Sequence, residues 1–96
     1  MRLKTVRRSR NTKKKWDAVF DKNGHEKVVS FGAAGMSDYT KHKDKTRRAR
    51  YLQRHKGMGE NWNRPDTPGA LSRWILWGPS TSFRQSVKAY KKRFRL

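Results

Sequence analysis

Neither the first fifteen residues nor anything after Asp66 contains an acidic side chain, and that absence constrains the fold of this chain more than any motif does. Cations crowded together repel, so a compact state must keep them at its periphery and gather its apolar groups into a small centre. With 26 Lys and Arg against seven Asp and Glu in 96 residues, the formal charge is +19. Charge of that size opposes folding and is relieved by a partner of opposite sign, of which phosphate backbones are the commonest. So short a chain supports one core, and one domain with one function is expected.

Four Trp, three Tyr and four Phe exceed what a disordered tail carries, so part of the chain is expected to fold. The lack of cysteine removes disulfides, thiolate zinc sites and cysteine nucleophiles, and leaves the redox compartment open. The longest apolar run, Trp74-Ile75-Leu76-Trp77, is far shorter than the roughly 20 residues of a membrane span. The N-terminus also lacks the apolar stretch of a signal peptide. Neither membrane insertion nor secretion by the usual route is expected.

The local patterns predict an α+β fold: an N-terminal basic arm, one β-hairpin, then three short helices. Residues 1–15 hold eight Lys or Arg and only Leu3 and Val6 as sizeable apolar residues, which reads as an arm that is flexible or ordered by a partner. Residues 16–96 read as a single small α+β domain with a basic C-terminal helix. In 16–31 two strand-like runs flank Lys22-Asn23-Gly24, where Asn-Gly supplies the positive φ of a tight turn. Period two puts Trp16, Ala18 and Phe20 on one face opposite Val29 and Phe31, with Asp17, Asp21 and Lys27 in water. A polar connection through Ser37 to Thr40 leads to a helix over about 45–56, capped by Asp44 and buried along Ala49, Tyr51 and Leu52. Thr67-Pro68 starts a second helix over about 68–77 that Gly78-Pro79 stops. Ser82 caps a third over about 82–93, with Phe83, Val87, Tyr90 and Phe94 recurring at helical spacing.

Little in the chain points to catalysis. Seven carboxylates scattered among 26 cations are expected mostly to favour the ionised form, so a protonated general acid is not expected, nor an enzyme, a cofactor or a small-molecule substrate. His25-Glu26 lacks the second histidine of the H-E-x-x-H zinc helix, and His25, His42 and His55 read as ordinary polar residues, so no metal is expected. Gly32-Ala33-Ala34-Gly35 has the spacing of a backbone clamp for single-stranded RNA but lacks its helical flanks and basic insert, and reads as a strand-ending turn. Three acid-poor clusters carry the chemistry: Arg7, Arg8, Arg10, Lys13, Lys14 and Lys15; Arg47, Arg48, Arg50 and Arg54; Lys88, Lys91, Lys92 and Arg93, with Arg95 beyond. Solvated cationic faces normally interleave Glu and Asp, and these do not, so they are the candidate phosphate-binding residues. No zinc finger, RNP1 or recognition-helix signature accompanies them, so backbone contact is expected to dominate over base reading. Trp62, Trp74 and Trp77 suit stacking on bases, but a small basic domain needs large rings in its core, and core is the expected use.

Residues 31–94 resemble a small basic family encoded by large nucleocytoplasmic DNA viruses, notably those of algae. The resemblance is carried by Tyr39-Thr40 with His42-Lys43-Asp44, by Glu60-Asn61-Trp62-Asn63, and by the run Gly69-Ala70-Leu71-Ser72-Arg73-Trp74-Ile75-Leu76-Trp77. It implies a viral protein and a place in the virion, or in the cytoplasm or nucleus of the infected cell, and carries over no catalytic residue. Two functions follow as expectations: a virion protein binding packaged DNA, or a minor capsid protein cementing coat subunits. A binder of structured RNA is a weaker third. The partners are accordingly nucleic acid or the acidic protein surfaces of an assembled particle.

Overall fold

The computed structural model describes residues 1–96. Three antiparallel strands, β1 (Arg2–Arg8), β2 (Lys14–Lys22) and β3 (His25–Ala33), form a sheet in the order β1-β2-β3. There follow α1 (Tyr39–His42), α2 (Lys45–Gly57), α3 (Pro68–Leu71), a π-helical turn (Ser72–Leu76) and α4 (Phe83–Phe94). The fold is α+β, as expected.

The first strand corrects the expectation of an arm. Arg2–Arg8 pairs with β2 in the register Leu3↔Phe20, Val6↔Ala18 and Arg8↔Trp16, and Leu3 is 2% exposed. Residues 1–15 are thus continuous with the sheet, and Lys14 and Lys15 already belong to β2. A bulge between Leu3 and Thr5 explains why the strand was hidden: it sets the two apolar residues three apart and breaks the alternation that marks a strand.

The hairpin forms where Asn-Gly predicts it. Asn23 (φ 56°) and Gly24 (φ 85°) make a two-residue turn, and Asp21 Oδ1 accepts the Gly24 N–H at 2.9 Å. Leu3, Ala18, Phe20, Val29 and Phe31 face Leu71, Ile75, Leu76 and Tyr90 to form the core. Trp16 lies at its margin, stacked on Phe83 at 4.4 Å. Asp17 departs from expectation. It is buried, and Ser30 Oγ donates to its Oδ1 at 2.6 Å, a bond that, with Ser9, holds the carboxyl below its usual range against the opposing effect of burial.

Local capping positions the helices. Asp38 accepts the Thr40 N–H at 3.0 Å and opens α1, a helical turn within the expected polar connection. Asp44, Thr67 and Ser82 cap α2, α3 and α4 as read from the sequence. Ala49 is exposed, and α2 rests instead on Arg48, Tyr51, Leu52 and His55, a stripe at spacings of three, one and three. The second helix changes to π geometry at Ser72, and the Trp77 N–H donates to the Ser72 carbonyl at 2.9 Å. Gly78 permits that ending, because a Cβ there would lie 2.4 Å from the Trp74 carbonyl oxygen. Of the α4 stripe only Tyr90 is fully buried, with Phe83, Val87 and Phe94 at the rim.

Candidate nucleic-acid interface

With Arg48, Tyr51, Leu52 and His55 turned inward, Arg47, Arg50 and Arg54 form a parallel row on α2, three and four residues apart. That row overlooks a cleft of about 560 Å³ whose other wall carries Lys14 and Lys15 from β2 and Gly32 and Ala33 from β3. Leu76, Trp77 and Tyr51 supply its apolar surface. Gly32 (φ 78°) lets β3 lie close, since a Cβ there would come within 2.9 Å of Leu76 Cδ1.

The cations of this cleft are largely uncompensated. Lys14, Arg47, Arg50 and Arg54 take part in no ion pair. The two acids that line it each have a partner in its wall. Asp38 accepts from Lys15 Nζ at 2.7 Å, a pair whose side chains are 2% and 10% exposed. Glu60 accepts the Trp62 indole N–H at 3.0 Å and lies 2.5 Å from His55 Nδ1. Burial opposes ionisation of Glu60, but the His55 and Trp62 donors outweigh it and hold the carboxyl below its usual range.

A second hollow, of about 280 Å³, shares Lys14 and Lys15 with the first and adds Arg8, Lys41 and Trp16. No acid lines it. Two of the three predicted clusters are thus brought together in part: Arg8, Lys14 and Lys15 from the first, and Arg47, Arg50 and Arg54 from the second.

The other candidates lie apart. Arg7 faces the far side of the sheet opposite Asp17, and Arg10 and Lys13 are exposed on the β1–β2 loop. Arg48 serves the fold. Its Nε donates to the carbonyls of Trp77 and Gly78 at 3.0 and 2.9 Å, and its guanidinium lies 5.6 Å from the Tyr39 ring centre. Lys88, Lys91, Lys92 and Arg93 sit on α4 and line neither hollow; Arg93 lies 3.8 Å from the ring centre of Trp74. Sequence reasoning missed Lys41, whose only signal was the cation density of Lys41-His42-Lys43. It also missed Arg73, 4.1 Å from the Trp74 ring centre, where burial, then Arg48 and Arg93, lower its pKa.

Most ring faces are taken up within the fold, and what is left lines the hollows: Tyr51 and Trp77 the larger, Trp16 the smaller. Tyr51 has Trp77 stacked at 4.1 Å and 4° and His55 at 4.1 Å and 27°, and two rings that close must take opposite faces. Arg73 and Arg93 cover Trp74, and Arg73 lies 5.2 Å from the Trp62 ring centre. His42 Nδ1 accepts the Asp44 N–H at 2.9 Å beside Trp77. No three His, Asp or Glu side chains converge as a metal site.

Comparison with curated proteins and with solved structures finds no match. One family model matches, over residues 4–55. The match spans most of β1, all of β2, β3 and α1, and α2 as far as His55, so it contains Lys14, Lys15, Lys41 and the α2 arginine row. It overlaps the viral resemblance only from residue 31 onward and stops short of Glu60 to Asn63 and Gly69 to Trp77. Covering more than half of the 96 residues, this match places the chain in the family of unknown function DUF5754.

Proposed function

We propose that this protein binds nucleic acid through phosphate-backbone contacts, with the cleft between α2 and the start of β2 as the principal site, and that its role is binding rather than catalysis. One observation carries the proposal: Lys14, Arg47, Arg50 and Arg54 converge on a cleft and have no carboxylate partner. Arg presents a planar fork to phosphate oxygens. From Arg47 to Arg54 the helix rises about 10 Å, at roughly 1.5 Å per residue, which spans about three nucleotides at roughly 3.4 Å each. The engaged rings leave little aromatic surface for bases, which favours tolerance of sequence. Glu60 and Asp66 are kept ionised by the donors around them, a poor state for a general acid. In the setting the viral resemblance implies, the polymer is packaged DNA and the protein a virion component.

Fluorescence anisotropy with labelled oligonucleotides of unrelated sequence, between about 50 and 200 mM salt, tests this. Binding of similar strength to each, with log affinity falling linearly in log salt, is expected. A salt-independent affinity would overturn the proposal.

The minor-capsid role is a second reading, favoured by the outer face of the sheet. There Arg2 stands opposite Asp21 in the strand register and Lys4 Nζ lies 3.6 Å from Glu26, so charges of both signs share a surface bearing Val28, 46% exposed. Protein surfaces that meet other proteins balance charge in this way more than phosphate-binding ones do. Retention on nuclease-emptied shells would favour it, and loss with the genome would exclude it.

A further inference from the structure

The two hollows share a wall, and that wall is cationic. Lys14 and Lys15 line both, Arg8 and Lys41 extend the smaller one, and Arg47, Arg50 and Arg54 extend the larger. Apart from Lys15, which is paired with Asp38, these cations have no carboxylate partner, and together they form a continuous path with cations on both sides, recessed between the sheet's end and α2. We infer that this path is a single groove that takes one unpaired strand of nucleic acid and disfavours duplex, an inference that rests on the phosphate-binding function proposed above.

The physical reason lies in which side of a backbone the protein can reach. In a duplex the inner side of each strand is taken up by its own base pairs, so protein meets the phosphates from outside. Cations divided between two facing walls need a chain that lies between them. Duplex DNA is also stiff, with a persistence length of about 50 nm, and does not bend into a recess of a few hundred Å³. A single strand turns freely at each nucleotide and can follow the path past Lys14. The engaged rings differ from the free aromatic platforms of many single-strand binders. Affinity here comes from phosphates, and the bases point out of the groove.

The experiment is an anisotropy titration of the full chain with a labelled oligothymidine of about 12 nucleotides, the same strand annealed to its complement, and a 4-nucleotide version, at about 150 mM salt. The 12-mer is expected to bind at least tenfold tighter than the duplex and the 4-mer. Equal or tighter duplex binding overturns the inference but leaves the nucleic-acid function standing; binding of neither overturns both.

Variants locate the site. Arg50→Ala and Lys41→Ala are expected each to weaken 12-mer binding and to lower the salt slope by about 0.7, the value for one phosphate contact on a single strand. Arg84→Ala, an exposed α4 control, is expected to change neither. All three residues are exposed and make no side-chain bond, and circular dichroism checks that the variants fold. Equal losses in the groove and control variants would mean diffuse attraction and overturn the groove. Loss with Arg50→Ala alone would confine the site to the larger cleft and overturn the continuous path.

Discussion

Arg48 and Arg50 stand two positions apart on α2 and serve different ends. The Arg48 guanidinium is half-buried and ties α2 to the carbonyls of Trp77 and Gly78, whereas Arg50 is exposed beside the cleft. Arg48→Ala should lower unfolding stability by about 2 kcal/mol, as expected for losing charged hydrogen bonds to buried carbonyls. Arg50→Ala should change stability by less than about 0.5 kcal/mol and weaken phosphate binding instead; urea denaturation checks both. Asp66 supplies the pH dependence. Lys27 and Lys22 donate to its Oδ2 at 2.9 and 3.1 Å; the Lys27 bond is the strongest influence, burial opposes it, and the carboxyl falls from 3.8 to about 2. Because the folded state holds the lower value, this contribution is present above about pH 4 and is lost as pH falls toward 2. It amounts to at most about 2 kcal/mol, less in salt because both lysines are half exposed. Asp66→Asn should be less stable at pH 7 and show a shallower acid limb in a denaturation series.

Among the elements, β1 separates the sheet seen here from a hairpin with a loose arm. Leu3 contacts the core only because β1 pairs with β2, so Leu3→Ala should destabilise by about 2 to 3 kcal/mol, the usual cost of emptying a buried leucine site. A mobile arm would show no change in the same thermal melt. The π turn is equally sensitive. Gly78→Ala would press a methyl against the Trp74 carbonyl and should cost more than about 2 kcal/mol, seen as a lowered Tm with weakened near-ultraviolet dichroism of Trp77. The caps at Asp44, Thr67 and Ser82 and the turn at Asn23-Gly24 were legible because each acts over three or four residues. The β1 bulge and the change to π geometry were not, since both depend on partners far along the chain. Arg48 Nε, for instance, reaches from α2 to the carbonyls of Trp77 and Gly78 at the end of the π turn.

For the whole molecule, a charge of +19 predicts that a phosphate polymer stabilises the fold by mass action and by relieving self-repulsion. Tm should rise by several degrees on adding oligonucleotide at low salt, and the gain should vanish near 1 M salt, where charges are screened within about 3 Å. By itself the sequence determined the fold class, the hairpin, the helix starts and the chain's own charge, because these follow from composition and from rules acting over a few residues. Only the tertiary structure decided which cations meet. Lys14 shares a cleft with Arg47, Arg50 and Arg54 because the sheet meets the π turn through β3 and α2 is tied to the end of that turn through Arg48, while Lys15 is held by Asp38, and Arg48, Arg73 and Arg93 are drawn onto carbonyls and rings. All of these side chains are alike in the sequence; burial and the neighbours reached through space separate the cations that hold the fold from those left free for a ligand.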